Sequence, residues 1–598
     1  MLINALCQYY DLLAGQHVLP AEGWMSVDVD CKICIDDEGK VTDVVDIRKE
    51  VEVTQKGGKV VRKKVSSQVL MPKRTEKSAV DVSFIEHRSK YIFGLVYASE
   101  DKQLVLDTTK GDPHSAFKEK TKEYIKNLDN PCINAFRKFV ENWDPERELE
   151  NPYLKSLGAA LNKFKFVFCL SSKPNELLHE VTEIRNRWDD LYSGKEDGVK
   201  GISALSGKEE LIAKVHGKIK GVANAYSSGA ALVCVNNQAE ESYGKRQGYN
   251  CNISEKDMLH YSSALNYLLK SPRNHKIIDG TTIVYWAMDL NGEYETLFDD
   301  LISGSEKITE DELNYILHAL VESIKKTTVD DNQIREFENL NRDIPFYVVG
   351  IKPNQAVLSV RFIYENNFGQ ILKNIAKYNR EMSIGEKKEY ITPLWKIKRS
   401  LVSPNNEKAE ISSALVGKLF QSIVLSKDYP SELYQTVIRR IKIDHTIKYE
   451  GDKAKRLELS RERAGMVKAY LNRNLKEEYG MSLDNENRDA AYLCGRAFAV
   501  MEKAQEEASD KELNRTIKDT YFASAMTKPA SVMPKLIKLN QYHLRKIEQA
   551  GRKKYLAKML GIILDSIKGD FPVRMEIKEQ GKFILGYYHQ RQSFFVKK

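Results

Sequence analysis

SVDVDCKICI, residues 26–35, alternates apolar with polar side chains over most of its length. Valine, cysteine or isoleucine occupies every odd position, which is the period of a strand that buries one face. Turn-forming residues at 36–39 and 57–58 separate it from further strand-like segments at 41–47, 51–53 and 60–65. A helix-like segment precedes them. The chain to about residue 100 is therefore predicted to form a helix and an antiparallel sheet.

The rest of the chain changes from mixed to helical patterning. Mixed α/β sequence continues to about residue 286, and the patterning is almost entirely helical from residue 412. Between them lies a strand-rich patch at 345–362, followed by a helix at about 368–378. A strand at 164–170, a helix at 183–190, an exposed loop at 192–210 and a charged linker at 449–463 complete the expected elements.

The predicted fold class is α+β multidomain. It combines an N-terminal mixed α/β portion with an antiparallel sheet and a C-terminal all-α helical bundle. A chain of 598 residues is too long for one core. We expect domains at 1–340, 341–465 and 466–598, the last of them a basic bundle.

Composition indicates a folded protein without a membrane span. The hydrophobic fraction is 42%, and no apolar run approaches the ~20 residues that cross a bilayer. The opening residues lack a basic leader and resemble an amphipathic helix rather than a signal peptide. Eight scattered cysteines are typical of a reducing compartment. We therefore expect a cytoplasmic location.

Positive charge is concentrated in the last fifth of the chain. Residues 481–598 hold 22 Lys/Arg against 14 Asp/Glu, a net charge of +8 out of +9 for the whole chain. Lys535, Lys538, Arg545 and Arg552 can share one face of a helix running to Lys558, about 35 Å long. Such a face can be merely solvated, but the concentration of charge favours a polyanionic partner. The predicted DNA-backbone contacts are Lys528, Lys535, Lys538, Arg545 and Arg552.

The sequence lacks the common catalytic and metal-binding constellations. Cys31 and Cys34 form a CxxC, but a strand places Cys31 toward the core and Cys34 toward solvent, and no second ligand pair follows. There is no HExxH, no phosphate-binding GxxxxGK[ST] loop and no GxSxG elbow. We therefore predict no metal, no cofactor and no enzymatic activity.

Two segments have the composition of nucleic-acid contacts. The first, Lys73-Arg74-Thr75, follows the N-terminal strands and can equally be an ordinary basic loop. The second, residues 235–252, interleaves amides, hydroxyls, aromatics and cations, which suit groove edges, phosphates and stacked bases. Its glycines would permit close backbone approach, although the segment can also be a long surface connection. The predicted DNA-contacting residues are Lys73, Arg74, Thr75, Asn236, Asn237, Ser242, Tyr243, Gly244, Lys245, Gln247 and Asn250.

Sequence pieces along the whole chain resemble one known family. They include LCQYYDLLA at 6–14, VVDIR at 44–48, PKRT at 72–75, YGK at 243–245 with Gln247 and Asn250, FYVVGIKPNQAVLSVRF at 346–362, YLCGRAFAVMEKAQ at 492–505 and FILGYYHQRQ at 583–592. In this order they resemble the large subunit of the type I-C CRISPR surveillance complex (Cascade), the Cas-eight-c family. The sequence after Thr75 departs from the small-residue turn usual in that family.

The resemblance implies a non-catalytic subunit of an RNA-guided complex in antiviral defence. Guide pairing would read the target, while this subunit reads a short protospacer-adjacent motif (PAM), expected to be TTC-like, helps open the duplex and stabilises the R-loop. It also implies a C-terminal part like the small subunit, made separately by internal translation from Met466 or Met481. The implied partners are CRISPR guide RNA, target double-stranded DNA and its displaced strand, Cascade backbone subunits, a guide-processing subunit, the small subunit, and a helicase-nuclease recruited after target binding. No membrane partner is expected.

Two other functions stay open from the sequence. One is a nuclease with an unrecognised metal site, which would cleave DNA in a metal-dependent reaction. The other is a scaffold that binds only proteins, which would give the complex no discrimination between flanking motifs.

Overall fold

The two units of the chain are defined by the contacts within each of them. The computed structural model describes residues 1–598 except 17, 55–59, 74–81, 194–197, 279, 306, 323–339, 386–388, 405, 407–410, 445–452, 510–515 and 596–598. Residues 3–214 and 249–261 form the N-terminal unit, and residues 1–2, 215–248 and 262–598 form the C-terminal unit. The division into domains at 341 and 466 stays a prediction.

The N-terminal unit combines short helices with small sheets, as the fold class predicts. Its helices are α1 (Leu2–Gly15), α2 (Ser89–Phe93), α3 (Pro113–Tyr124), α4 (Pro131–Asn142), α5 (Pro152–Leu157) and α6 (Thr182–Ser193). Its strands are β1 (Trp24–Val29), β2 (Cys31–Ile35), β3 (Val41–Asp46), β4 (Lys49–Thr54), β5 (Val60–Val65), β6 (Ser67–Pro72), β7 (Leu95–Ala98), β8 (Gln103–Leu106), β9 (Phe166–Leu170), β10 (Lys173–Leu177), β11 (Lys200–Ile202) and β12 (Glu209–Leu211).

The segment 26–35 is two strands rather than one. It breaks at Asp30, whose backbone N–H donates to the carbonyl of Lys165 and whose carboxylate accepts from Ser66 and from the Lys165 N–H. β1 then pairs with β6, whereas β2 lies between β3 and β9 in the order β10-β9-β2-β3. The β2–β9 pair is parallel, so this sheet is mixed. The inward side chains of β1 and β2 still share one core, as the alternation predicts.

Two loop predictions are corrected by the described elements. The segment predicted as an exposed loop at 192–210 contains most of the antiparallel hairpin of β11 and β12. Its described residues are exposed or half-buried except Ser203, which is buried in the turn, so the loop assignment is corrected and not the exposure. The predicted linker at 449–463 becomes helical at Lys453, while 449–452 lie outside the described residues.

The C-terminal unit places a six-stranded sheet before a helical region. Its strands are β13 (Lys218–Ile219), β14 (Ala230–Ala231), β15 (His275–Ile278), β16 (Thr281–Ala287), β17 (Pro345–Asn354) and β18 (Val357–Asn367), in the order β13-β14-β18-β17-β16-β15. Helix α7 (Glu255–Lys270) begins in the residues of the N-terminal unit and ends in those of this one. The next helices are α8 (Glu293–Ser303), α9 (Glu310–Glu322), α10 (Phe368–Met382), α11 (Leu394–Leu401), α12 (Ser413–Val424), α13 (Ser431–Asp444) and α14 (Lys453–Leu475).

The last five helices form the predicted helical bundle. They are α15 (Ala490–Glu507), α16 (Ile517–Ala525), α17 (Pro529–Lys546), α18 (Ala550–Asp565) and α19 (Ile577–Ser593). α15 and α19 approach closely because glycines face the opposite backbone: a Cβ on Gly495 would lie 2.0 Å from the carbonyl oxygen of Phe583. One core runs from Ile278 to Tyr588 across the unit. Among the described residues, no helix has the length and apolar character that a bilayer crossing requires.

Candidate nucleic-acid interfaces

An exposed polar segment follows β14 in the C-terminal unit. From Asn236 to Gln247 every residue is exposed except Glu241, which is half-buried. We call residues 236–247 the polar loop. It carries all the predicted DNA-contacting residues of the second segment apart from Asn250, which follows it and is half-buried. The loop therefore presents amides, a hydroxyl, an aromatic ring and cations to solvent.

Two carboxylates of the polar loop hold its backbone. Glu240 Oε2 accepts from the Asn236 N–H at 2.9 Å and the Asn237 N–H at 3.4 Å. Glu241 Oε1 accepts from the Gln247 N–H at 3.0 Å, which ties the two ends of the Ser242–Gln247 segment. The backbone donors, Asn236 first, lower the pKa of Glu240. Sequence reasoning overlooked Glu240, although Asn-x-x-Glu is a capping pattern that could have identified it.

The tip of the polar loop is a tight turn that points an aromatic ring outward. The Lys245 N–H donates to the Ser242 carbonyl at 3.0 Å, and Tyr243 and Gly244 between them have φ of +54° and +71°. Two positive φ angles are typical of a type I′ turn, and a non-glycine residue in this conformation costs about 1–2 kcal/mol. The Tyr243 side chain is nevertheless 98% exposed. Burial within the chain therefore does not explain its presence.

The first predicted segment belongs to the N-terminal unit. Lys73 is half-buried, and its backbone N–H donates to the carbonyl of Gly23 at 2.7 Å as β6 ends. Arg74 and Thr75 lie outside the described residues. Arg88 is held by the buried carboxylate of Glu86, with Nη2 to Oε2 at 2.7 Å, and its guanidinium lies over the ring of Tyr91. Of the three predicted residues in this segment, the structure therefore describes Lys73 alone.

The predicted basic helix of residues 535–558 is two helices. α17 ends at Lys546 and α18 begins at Ala550, with Ile547 buried between them. Lys535, Lys538 and Arg545 lie exposed on α17, at spacings that share one face. They extend over about 15 Å, or about four nucleotides of one strand, rather than the predicted 35 Å. Lys528 is the N-cap residue of α17 and lies outside its helical part.

Arg552 differs from the three cations of α17 because a carboxylate already binds it. Its Nε donates to Glu507 Oε2 at 2.8 Å and its Nη2 to Oε1 at 2.7 Å, a bidentate pair with α15. Glu507 raises the pKa of Arg552, and Arg552 is half-buried. Nothing in local sequence reveals a partner 45 residues away. Arg552 is therefore not a member of the exposed α17 face.

The α17 face also carries an aromatic ring that sequence reasoning missed. Tyr542 is 54% exposed and lies seven residues after Lys535, so it falls on the same face. The Arg545 guanidinium lies 6.0 Å from the centre of its ring. We call Lys535, Lys538, Tyr542 and Arg545 the α17 stripe. No described carboxylate forms an ion pair with these cations, and residues 520–547 contain no Asp or Glu. The stripe suits phosphates with an adjacent base.

The cysteines of β2 lie on opposite faces, but both are buried. Cys31 belongs to the core, as predicted, whereas Cys34 is 6% exposed rather than solvent-facing. The prediction for Cys34 is wrong because β2 is a central strand, and the Cys34 Sγ lies 3.3 Å from the Sγ of Cys169 on β9. Within the described ranges, no group of three or more His, Cys, Asp or Glu side chains is arranged to hold a metal ion.

A comparison with known protein families gives a match that spans nearly the whole chain. A search of curated proteins finds no match. The sequence model of the family described as CRISPR-associated protein (Cas_Csd1) matches residues 6–595, which cover both units, the Lys73 segment, the polar loop and the α17 stripe. Because the match extends over nearly the whole chain, the protein belongs to the Cas_Csd1 family of CRISPR-associated proteins.

Proposed function

We propose that this protein is the non-catalytic large subunit of an RNA-guided DNA surveillance complex of the type I-C Cascade kind. In this role it recognises the PAM in duplex DNA, helps open the duplex and stabilises the R-loop. The membership of a CRISPR-associated family supports partnership with other CRISPR proteins and nucleic acid. The two interfaces support a division of work between reading the flanking motif and holding DNA.

The polar loop supplies the motif-reading chemistry. Asn236, Asn237 and Gln247 bear amides that both donate and accept hydrogen bonds, as base edges require. The Asn237 Nδ2 also donates to Glu240 Oε1 at 3.3 Å, which orients this amide. The backbone N–H groups of the three residues donate to Glu240 and Glu241, so the loop loses little conformational entropy when it binds. This exposed, internally held loop is the observation that carries the proposal. In the N-terminal unit, Lys73, with Arg74 and Thr75 beyond it, contributes a second motif contact.

The α17 stripe supplies contacts that do not depend on sequence. Its cations lack carboxylate partners among the described residues, so phosphates can replace only water and counterions there. The ring of Tyr542 adds a stacking surface, which favours a separated strand over a closed duplex. Lys528 extends the positive charge beyond the helical part of α17. In an opened target, these residues retain a DNA strand along the complex.

Purification from the native gene neighbourhood tests the proposal. The chain carries a C-terminal tag, and the bound RNA and the intact masses of all proteins are measured. We expect guide-sized RNA, Cascade backbone subunits, a guide-processing subunit and a short C-terminal product. The same chain expressed without its neighbours is the control. Recovery of the chain alone, with no RNA, would reject the assignment to a surveillance complex.

The short product distinguishes the two internal starts. Met481 lies after α14 and would yield α15–α19, whereas Met466 is buried within α14 and would retain the end of that helix. In the full chain, α14 packs against α19, where a Cβ on Gly581 would lie 3.2 Å from Val467. A product starting at Met466 keeps this contact. Met466→Leu and Met481→Leu, made singly, identify the start by loss of the product; its persistence in the double variant would indicate proteolysis.

A cleavage assay separates the proposed subunit from a nuclease. The purified complex, without the helicase-nuclease, is incubated with target DNA and Mg²⁺ or Mn²⁺. We expect intact DNA, and a helicase-nuclease added afterwards is expected to cut it. Metal-dependent cleavage that disappears when a carboxylate is replaced would assign catalysis to this chain.

A further inference from the structure

Tyr243 combines an exposed aromatic ring and an unfavourable backbone conformation with a position at the tip of a turn. Its side chain is 98% exposed, its backbone is in the left-handed region, and it occupies the tip of the turn at residues 242–245. Glycine takes a positive φ with no steric penalty, whereas tyrosine does not. The turn would form more easily with another glycine at position 243. The ring therefore contributes to something outside the described contacts of the chain.

Space around the turn permits a flat partner to reach the ring. A Cβ placed on Gly244 would meet no atom within 4 Å, so the surface beside the ring is open. Lys245 and Arg246 follow immediately and are exposed, which places two cations next to an aromatic ring. A nucleotide offers the complementary pair, a flat base and a charged phosphate.

The remainder of the polar loop keeps this tip extended. Glu241 Oε1 accepts the Gln247 N–H and so closes the base of the turn, while Glu240 holds the backbone at Asn236 and Asn237. Neither carboxylate is at the tip itself. The negative charges are used to organise the loop, and the tip carries only positive charge.

We propose that Tyr243 stacks on a nucleobase that becomes unpaired beside the PAM, so that it holds the first opened step of the target duplex. This inference rests on the proposed function, because it needs the polar loop to lie at the PAM. Aromatic rings stack on any base, so the contact favours opening without adding sequence preference. The amides of the loop would set the preference, and the ring would set how readily the duplex opens.

Three variants separate the ring from the turn. Tyr243→Gly removes the ring and suits the positive φ, so the turn is retained. Tyr243→Phe keeps the ring without the hydroxyl. Gly244→Ala keeps the ring but places a side chain at φ +71° in open space, so it disturbs only the turn. All three are tested as assembled complexes with guide RNA.

The assay uses 2-aminopurine one step beyond the first target position beside the PAM; its fluorescence rises when opening removes its stacking on the base at that first position, on which Tyr243 stacks. Each complex meets a fully paired target and a target with a mismatch already opening that position, and each target is also made with a scrambled PAM. A stacked base contributes a factor of about 5 to 150 in binding. We expect Tyr243→Gly to open the paired target 5- to 150-fold less well, to recover on the pre-opened target and to keep its PAM preference. Tyr243→Phe should behave as wild type, and Gly244→Ala should fall between them.

Failure of the inference and failure of the proposed function look different. If wild type prefers the intact PAM and Tyr243→Gly opens the paired target equally well, the ring is not the stacking residue although the motif is read. If Tyr243→Gly weakened binding equally on the paired and the pre-opened target, the inference would also be overturned. If wild type ignores the PAM, the proposed function fails, and the inference fails with it.

Discussion

Removal of the three cations of the α17 stripe should flatten the salt dependence of DNA binding. The variant K535Q/K538Q/R545Q keeps a polar but shorter side chain at each position and removes three positive charges. Each of these side chains is exposed and lacks a described carboxylate partner, so the folded chain should tolerate the change. Tyr542 is retained, so stacking is preserved while phosphate contacts are lost.

The magnitude follows from counterion release. Each phosphate contact adds about 0.7 to the salt slope for a single strand and about 0.9 for a duplex, so three contacts add about 2 to 2.7. Between 50 and 200 mM salt, wild type should therefore lose about 16- to 40-fold more affinity than the triple variant. The loss should be similar for all target sequences, because phosphates carry no sequence information.

Titrations by fluorescence anisotropy at four salt concentrations measure the slope. K120Q/K122Q/K126Q is the matched control, because it removes three exposed cations from the N-terminal unit and changes the net charge equally. Arg552→Gln is a second control, since Glu507 already neutralises that charge, and it should change the slope less than one α17 substitution. An unchanged slope in the α17 variant, or the same change in K120Q/K122Q/K126Q, would refute a phosphate contact there.

Three further predictions concern the fold and the polar loop. Gly495→Ala places a Cβ 2.0 Å from a backbone oxygen of α19 and should destabilise the bundle by about 1–3 kcal/mol. Gly561→Ala, whose Cβ would meet nothing within 4 Å, should instead stabilise α18 by about 0.5–1 kcal/mol. Thermal unfolding of both variants measures these changes, and equal effects would contradict the close packing of α15 against α19. Burial raises the pKa of the Glu295 carboxyl from 4.5 to about 7, so the folded chain binds the carboxyl proton more tightly than the unfolded chain does. The contribution of this proton to the free energy of unfolding is fully present below about pH 4.5 and is lost as the pH rises through 7. Glu295→Gln should therefore exceed wild type in stability by up to about 3 kcal/mol at pH 8 but not at pH 4.5, and parallel pH curves would contradict it. Asn236→Ala and Gln247→Ala should change which flanking trinucleotides the assembled complex accepts, measured on a randomised library; a uniform loss of affinity would make both residues positioning contacts.

Local patterning predicts the elements of this chain better than their pairing. The alternation at 26–35 identifies strand residues and their inward face, but it does not reveal that Asp30 divides them between two sheets. That division depends on Ser66 and Lys165, which are remote in sequence. β2 becomes central, and Cys34 becomes buried, only because β9 pairs beside it. A two-residue alternation identifies which face of a strand is buried, but it does not show which distant strand pairs with it.

The same limit applies to the basic bundle. Spacings of three and seven correctly place Lys535, Lys538 and Arg545 on one exposed face. No glycine or proline at residues 546–549 marks the break after Lys546, and the Ile547 that follows is buried. The pairing of Arg552 with Glu507 is non-local. The sequence therefore predicts the charge of this surface, while the fold decides which charges are available.

The polar loop is the opposite case, since local signals were sufficient to find it. Its composition indicates a surface segment at 235–252, and residues 236–247 are exposed apart from the half-buried Glu241. The capping pattern of Asn237 and Glu240 is also readable in the sequence. The left-handed backbone at Tyr243 cannot be read from the sequence, because a Tyr-Gly pair does not by itself require a type I′ turn.

Binding of the assembled complex to targets that differ only in the flanking trinucleotide tests the central claim most directly. The guide-complementary sequence is identical in every target, so guide pairing cannot contribute to the difference. We predict tight binding for a small set of trinucleotides, with TTC-like sequences among them, and binding weaker by at least about tenfold for the others. Equal affinity for every flanking trinucleotide would contradict PAM recognition by this protein.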